Sequence, residues 1–108
     1  MEVLQVFDEG ILIYDALINE ILTTIETDVF LKKKSVSGTE FYKAVQSGIT
    51  PSITFETRTI DFELTRHLEK DTNKPLYATQ VKYDGAVYDI IRTYDKPNVD
   101  DITVIVCS

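Results

Sequence analysis

Residues 79–107 read TQVKYDGAVYDIIRTYDKPNVDDITVIVC, and this stretch decides the fold. Asp84-Gly85 falls between two runs of alternating apolar residues, 79–83 and 86–94. A type I′ turn needs positive φ at both central positions, which Asp-Gly supplies, so a hairpin is expected there. Lys96-Pro97-Asn98 marks a second turn before the apolar run 102–107, which makes the C-terminal third a three-stranded meander.

Working outward, residues 52–62 are rich in Thr, Ile and Phe and read as a further strand. Ile53 and Phe55 share one face and Glu56 and Arg58 the other, until Ile60 and Phe62 reverse the pattern, which a bulge within the strand would explain. Residues 64–79 are polar and carry Asn73-Lys74-Pro75; they read as an exposed, dispensable excursion with a short helical piece over 66–70. Upstream, Ser37-Gly38-Thr39-Glu40 has the form of a capping box, in which the serine hydroxyl and the glutamate reciprocally satisfy helix-start amides. Phe41, Ala44 and Val45 follow at helical spacing, and Gly48 and Pro51 stop the helix within about three turns.

The N-terminal third is ambiguous by periodicity. Ile11, Tyr14, Leu17, Ile18, Ile21, Leu22 and Ile25 recur at helical intervals, whereas Thr23, Thr24, Ile25, Thr27 and Val29 are β-branched and no cap is present. Residues 21–34 are therefore read as strand. Residues 3–7 form another, and turn chemistry at Asp8-Glu9-Gly10 separates it from 11–14, as two short strands or one bulged strand. About six strands and one short helix on a long connection imply a mainly β protein, a small antiparallel β-barrel forming a single domain over 1–108.

The 108 residues suffice for one domain and include 44% hydrophobic and 27% charged residues, an ordinary globular composition. Eleven Lys and Arg against eighteen Asp and Glu give a net charge of −7, the wrong sign for tight nucleic-acid binding. A single cysteine, Cys107, excludes an intramolecular disulfide and suggests a reducing compartment. No apolar run is long enough to span a bilayer and no basic start precedes one, so synthesis in the cytoplasm and no membrane are expected.

Chemistry is sparse. Glu63, His67 and Asp71 have the spacing to share a helix face as metal ligands, but the segment lacks the buried surroundings a metal needs, and a solvated histidine is the expectation. Cys107 reads as a small apolar strand residue and not a nucleophile. Four glycines form no phosphate-binding loop, and Asp8-Glu9 and Asp100-Asp101 fall in turns where solvated acids are common. No catalytic residue, cofactor or metal is expected. Tyr42, Tyr77, Tyr83, Tyr88 and Tyr94 read as half-buried barrel residues, not a base-stacking platform. In the basic run Lys32-Lys33-Lys34, strand alternation points Lys32 and Lys34 together and Lys33 oppositely. Lys32 and Lys34, with Arg58 and Arg92, are candidate subunit contacts.

Several words occur in a telling order: Val29-Phe30, Lys34-Ser35-Val36-Ser37, Glu40-Phe41-Tyr42-Lys43-Ala44, Gly48-Ile49-Thr50-Pro51, Phe55-Glu56-Thr57-Arg58, Val81-Lys82-Tyr83-Asp84-Gly85 and Tyr88-Asp89-Ile90-Ile91-Arg92-Thr93-Tyr94. Together they resemble the head-closure, or stopper, proteins of long-tailed bacteriophages, especially those of Gram-positive hosts and their prophages. The resemblance implies a barrel that assembles as a dodecameric ring on the adaptor protein of the portal, retains packaged double-stranded DNA and docks the tail completion or terminator protein. It implies a place at the head–tail interface of the virion. It also makes residues 37–48 the gate, with Ser37, Glu40, Phe41, Tyr42, Lys43, Gln46 and Gly48 as channel or partner contacts. A free-standing barrel that binds a host protein or single-stranded nucleic acid is the alternative.

Overall fold

A computed structural model describes residues 7–34 and 53–108. Its elements are β1 (Asp8–Ile18), β2 (Ile21–Lys34), β3 (Ile53–Arg58), α1 (Thr59–Glu63), β4 (His67–Leu68), β5 (Pro75–Leu76), β6 (Gln80–Tyr83), β7 (Ala86–Asp95) and β8 (Ile102–Cys107). Six strands close into an antiparallel barrel in the order β1-β2-β3-β8-β7-β6, and β4-β5 form a separate two-stranded ladder. The mainly β barrel expected from the sequence is therefore present. The helix described is α1; the expected helix over 37–48 lies outside the described residues.

The interior is lined by alternate residues of the barrel strands, among them Leu12, Val29, Leu31, Phe55, Val81 and Ile105. Phe55 packs against Tyr83 and Tyr88, with ring centroids 5.2 and 5.6 Å away. Phe62 of α1 and Ala78 join the same core, and Tyr77 stacks on Phe62 at 5.3 Å. The described tyrosines 77, 83, 88 and 94 are half-buried, as expected; Tyr42 lies outside the described residues.

The meander reads as anticipated. Asp84 and Gly85 have φ of 50° and 80°, and Tyr83 pairs with Ala86 across them. Three other expectations change. Asp8-Glu9-Gly10 is not a turn: β1 runs straight through it, and Gly10 is buried opposite Val29. A Cβ on Gly10 would collide with the Leu31 side chain, so this glycine serves packing. The strand expected over 21–34 is present as β2, and the helical periodicity of 11–25 gives way to a long hairpin in which Asp8–Ile18 and Ile21–Leu31 pair in unbroken register about Asn19-Glu20.

The strand over 52–62 is shorter and unbulged. It ends at Arg58, and α1 begins as the Thr59 amide donates to the Asp101 carbonyl at 2.8 Å, so Phe62 turns inward by helical geometry. A bulge does occur, but in β7 between Ile90 and Arg92. Residues 66–70 are not helical: His67 and Leu68 pair with Leu76 and Pro75 in the β4–β5 ladder.

Two turns invite comparison. Asn19 and Glu20 both have positive φ, at 51° and 66°, so Glu20 occupies a position glycine would hold without steric cost. Replacing it, Glu20→Gly, is expected to raise stability by about 1 kcal/mol. In the other turn Gly85 has open space around its Cβ position, so Gly85→Val acts through backbone strain alone, lowering stability by on the order of 1 to 3 kcal/mol. Urea unfolding of the two variants should give shifts of opposite sign.

Candidate functional site

Of the residues singled out in the sequence, Ser37, Glu40, Phe41, Tyr42, Lys43, Gln46 and Gly48 lie outside the described residues. The segment holding them connects β2 to β3, which are neighbours in the barrel. Lys32 and Lys34 share a face of β2 and are half-buried, while Lys33 between them is exposed, as strand alternation requires. Lys32 faces Glu56 in register, with Nζ 3.9 Å from the carboxylate, and Lys96 approaches the same group at 3.1 Å. Burial, reinforced by the neighbouring Lys34 amine, lowers the Lys32 pKa.

Arg58 is tied to Asp61 by its Nε at 3.2 Å and its Nη2 at 3.4 Å. Arg92 lies 5.0 Å above the Tyr94 ring. The four candidate contacts are thus on three strands and are not one cluster. Glu56 is one residue whose role the sequence does not reveal. It reads as a solvent-facing acid by alternation, yet it is buried and gathers one lysine from β2 and one from beyond β7. Nothing local announces this, since both partners are distant in the chain.

The excursion over 64–79 also carries more than its polarity suggested. Thr65 is fully buried; its hydroxyl donates to the Phe62 carbonyl at 2.7 Å and accepts from the Ala78 amide at 3.0 Å. One side chain therefore fastens both ends of the excursion beneath the core. Next to it His67 Nδ1 donates to the Thr65 carbonyl at 2.8 Å, and its ring stacks on Tyr14 at 4.2 Å. His67 is thus a packed residue, not a solvated one. Glu63 lies on α1 and His67 on β4, so the helical spacing that could have joined them to Asp71 is not formed. Among the described residues no group of three His, Cys, Asp or Glu side chains could hold a metal ion.

Thr65→Val removes the hydroxyl at almost unchanged volume and strands the buried Ala78 amide. Unfolding in urea should show a loss of about 1 to 3 kcal/mol, whereas Thr72→Val on the exposed loop should change little.

Cys107 is buried at the end of β8, and its thiol is pushed up to about 12 by burial, with Asp89 adding repulsion. Such a group is no nucleophile near neutrality. Alkylating reagents at pH 8 are expected to leave native protein untouched and to label it fully once urea unfolds the barrel; fast labelling of the native state would contradict this packing.

Among the described residues, the end of the β1–β2 hairpin leaves apolar side chains uncovered. Only residues 11–13 of β1 pair with β6, and only residues 32–34 of β2 pair with β3. Beyond these seams the hairpin is a two-stranded ribbon, propped at its base by His67 on Tyr14. Leu17, Ile18, Ile21 and Leu22 at its tip are 45 to 68% exposed. A monomer rarely presents four large aliphatic side chains together, so the tip has the character of a contact surface. Among the described residues no helix is long and apolar enough to cross a membrane. No family model matches the chain, and no curated protein matches it.

Proposed function

We propose that the protein is a structural component of a phage head–tail connector: a ring below the portal and adaptor that closes the DNA channel after packaging and receives the tail. The observation that carries this reading is the connection between β2 and β3. These strands are adjacent and antiparallel, and two residues can join such a pair. Residues 35–52 are far more than closure of the barrel requires, so their length serves another purpose. They contain the capping-box motif and the words that resemble the gate of stopper proteins, while the other quoted words fall largely on β3, β6 and β7 of the fixed barrel.

The acidic balance supports the same reading, since a chain of net charge −7 has no general attraction for DNA that must pass it. Nucleic-acid binding by stacked bases has less support: Tyr83 and Tyr88 pack around Phe55 in the barrel core.

Packaged heads made without this protein provide the test. They are expected to lose DNA to nuclease, and added purified protein should restore protection. Protein in which a short Gly-Ser linker replaces residues 37–48 should fold and bind the heads but fail to retain DNA. Heads that hold their DNA equally well in its absence would overturn the proposal.

A further inference from the structure

The structure also suggests how neighbouring copies meet. We propose that the tip of the β1–β2 ribbon docks on the exposed face of α1 in a second copy of the chain. The ring in which this contact would serve rests on the connector reading; the contact itself rests on the geometry below.

The ribbon reaches about 17 Å past the β1–β6 seam, taking five residues of extended chain at about 3.4 Å each. A two-stranded ribbon is marginal in water by itself, and an apolar tip makes it more so. Its charge is one-sided. Residues 7–31 carry Asp8, Glu9, Asp15, Glu20, Glu26 and Asp28 and no Lys or Arg. An occupant must therefore offer apolar area with cationic neighbours.

Two exposed apolar sites away from the tip, among the described residues, can be compared; Leu68, also exposed, borders the tip's own cleft with Leu17 and Leu22. Phe30 has Lys82 nearby, but Glu9, Asp28 and Asp84 line the same cleft, so an acidic tip would be repelled. Ile60 on α1 and Leu64 at its C-cap, four residues apart, are 67 and 62% exposed, and the opposite helix face buries Phe62. Arg58 and Arg66 flank them. Asp61 is already engaged by Arg58, Glu63 is exposed beside Leu64, and Arg66 has no side-chain partner among the described residues. Charge thus selects α1 over the Phe30 cleft.

Tip and helix are different surfaces of one chain. Their pairing is heterologous, each copy giving its tip to one neighbour and its helix to the next, which is the kind of contact that builds rings. A tip-to-tip dimer would instead bring Glu20 of both copies together.

Sedimentation of mixed variants tests this in the isolated protein. One variant carries Ile21→Asp and Leu22→Asp, the other Ile60→Asp and Leu64→Asp; all four positions are exposed, and circular dichroism checks the fold. Wild-type mass is expected to climb past the dimer as concentration approaches about 1 mM, the range of a weak contact. Each variant alone should remain monomeric, and an equimolar mixture, with one intact tip and one intact helix between two copies, should stop at the dimer. If either variant fails to fold, Glu20→Lys and Arg66→Glu replace them; each alone should remain monomeric, and their mixture, in which the two charges are exchanged, should climb past the dimer as the wild type does.

A wild-type protein that stays monomeric throughout, an α1 variant that still dimerises, or a mixture that remains monomeric would each overturn the contact. Head protection is measured separately, so loss of this contact leaves the connector reading standing, and unprotected heads would leave the contact standing.

Discussion

Closure of the barrel depends on two short seams. Residues 11–13 of β1 against β6, and residues 32–34 of β2 against β3, join the long hairpin to the rest of the sheet. Without them the hairpin would be an isolated ribbon and β3-β8-β7-β6 an open sheet with two bare edges, the arrangement that invites unwanted pairing. Side-chain demands at the hairpin are correspondingly strict. Gly10 must lack a side chain because Leu31 fills that space, and the Thr57 hydroxyl donates to the Phe30 carbonyl at 3.0 Å just beyond the second seam.

Polar groups hold the other boundaries of the core. Glu56 is buried with its charge opposed by Lys32 and Lys96, so it links β2, β3 and the segment after β7 through a group that could not stay buried and charged alone. At the other boundary Thr65 fastens α1 to the chain entering β6, and this keeps Phe62 and Tyr77 stacked under the barrel. The result is a rigid barrel with two long features attached. One is the apolar ribbon tip; the other is the connection between β2 and β3. A rigid body of this kind can carry assembly contacts and an inserted segment without loss of its own hydrogen-bonded ladder.

Parts of this arrangement were legible in the chain because their causes are local. Asp84-Gly85 marks a turn by backbone preference alone, and the alternation of 102–107 marks a strand. Asn19-Glu20 adopts the same positive φ values, but glutamate gives no such signal, and the apolar spacing around it imitates a helix. Similarly Thr59-Ile60-Asp61-Phe62-Glu63 is rich in β-formers and continues a strand pattern, yet becomes helix because the Thr59 amide is taken by Asp101 and Phe62 reaches the core. As for the site, strand alternation puts Lys32 and Lys34 on one face, whereas the buried carboxylate that Lys32 meets, and the ribbon tip, leave no mark in the local pattern.

By itself, then, the amino-acid order determined the class of fold, the hairpin at Asp84-Gly85, the acidic charge and the small, apolar role of Cys107, since each follows from composition or from neighbours within a few residues. Only the tertiary structure decided which strands meet, that Glu56 and Thr65 are buried, and that Leu17, Ile18, Ile21 and Leu22 are left outside. The reason is the physics of burial. Whether a side chain is covered depends on elements far away in the chain, and the short reach of the β1–β6 seam, not any property of those four residues, puts them in water.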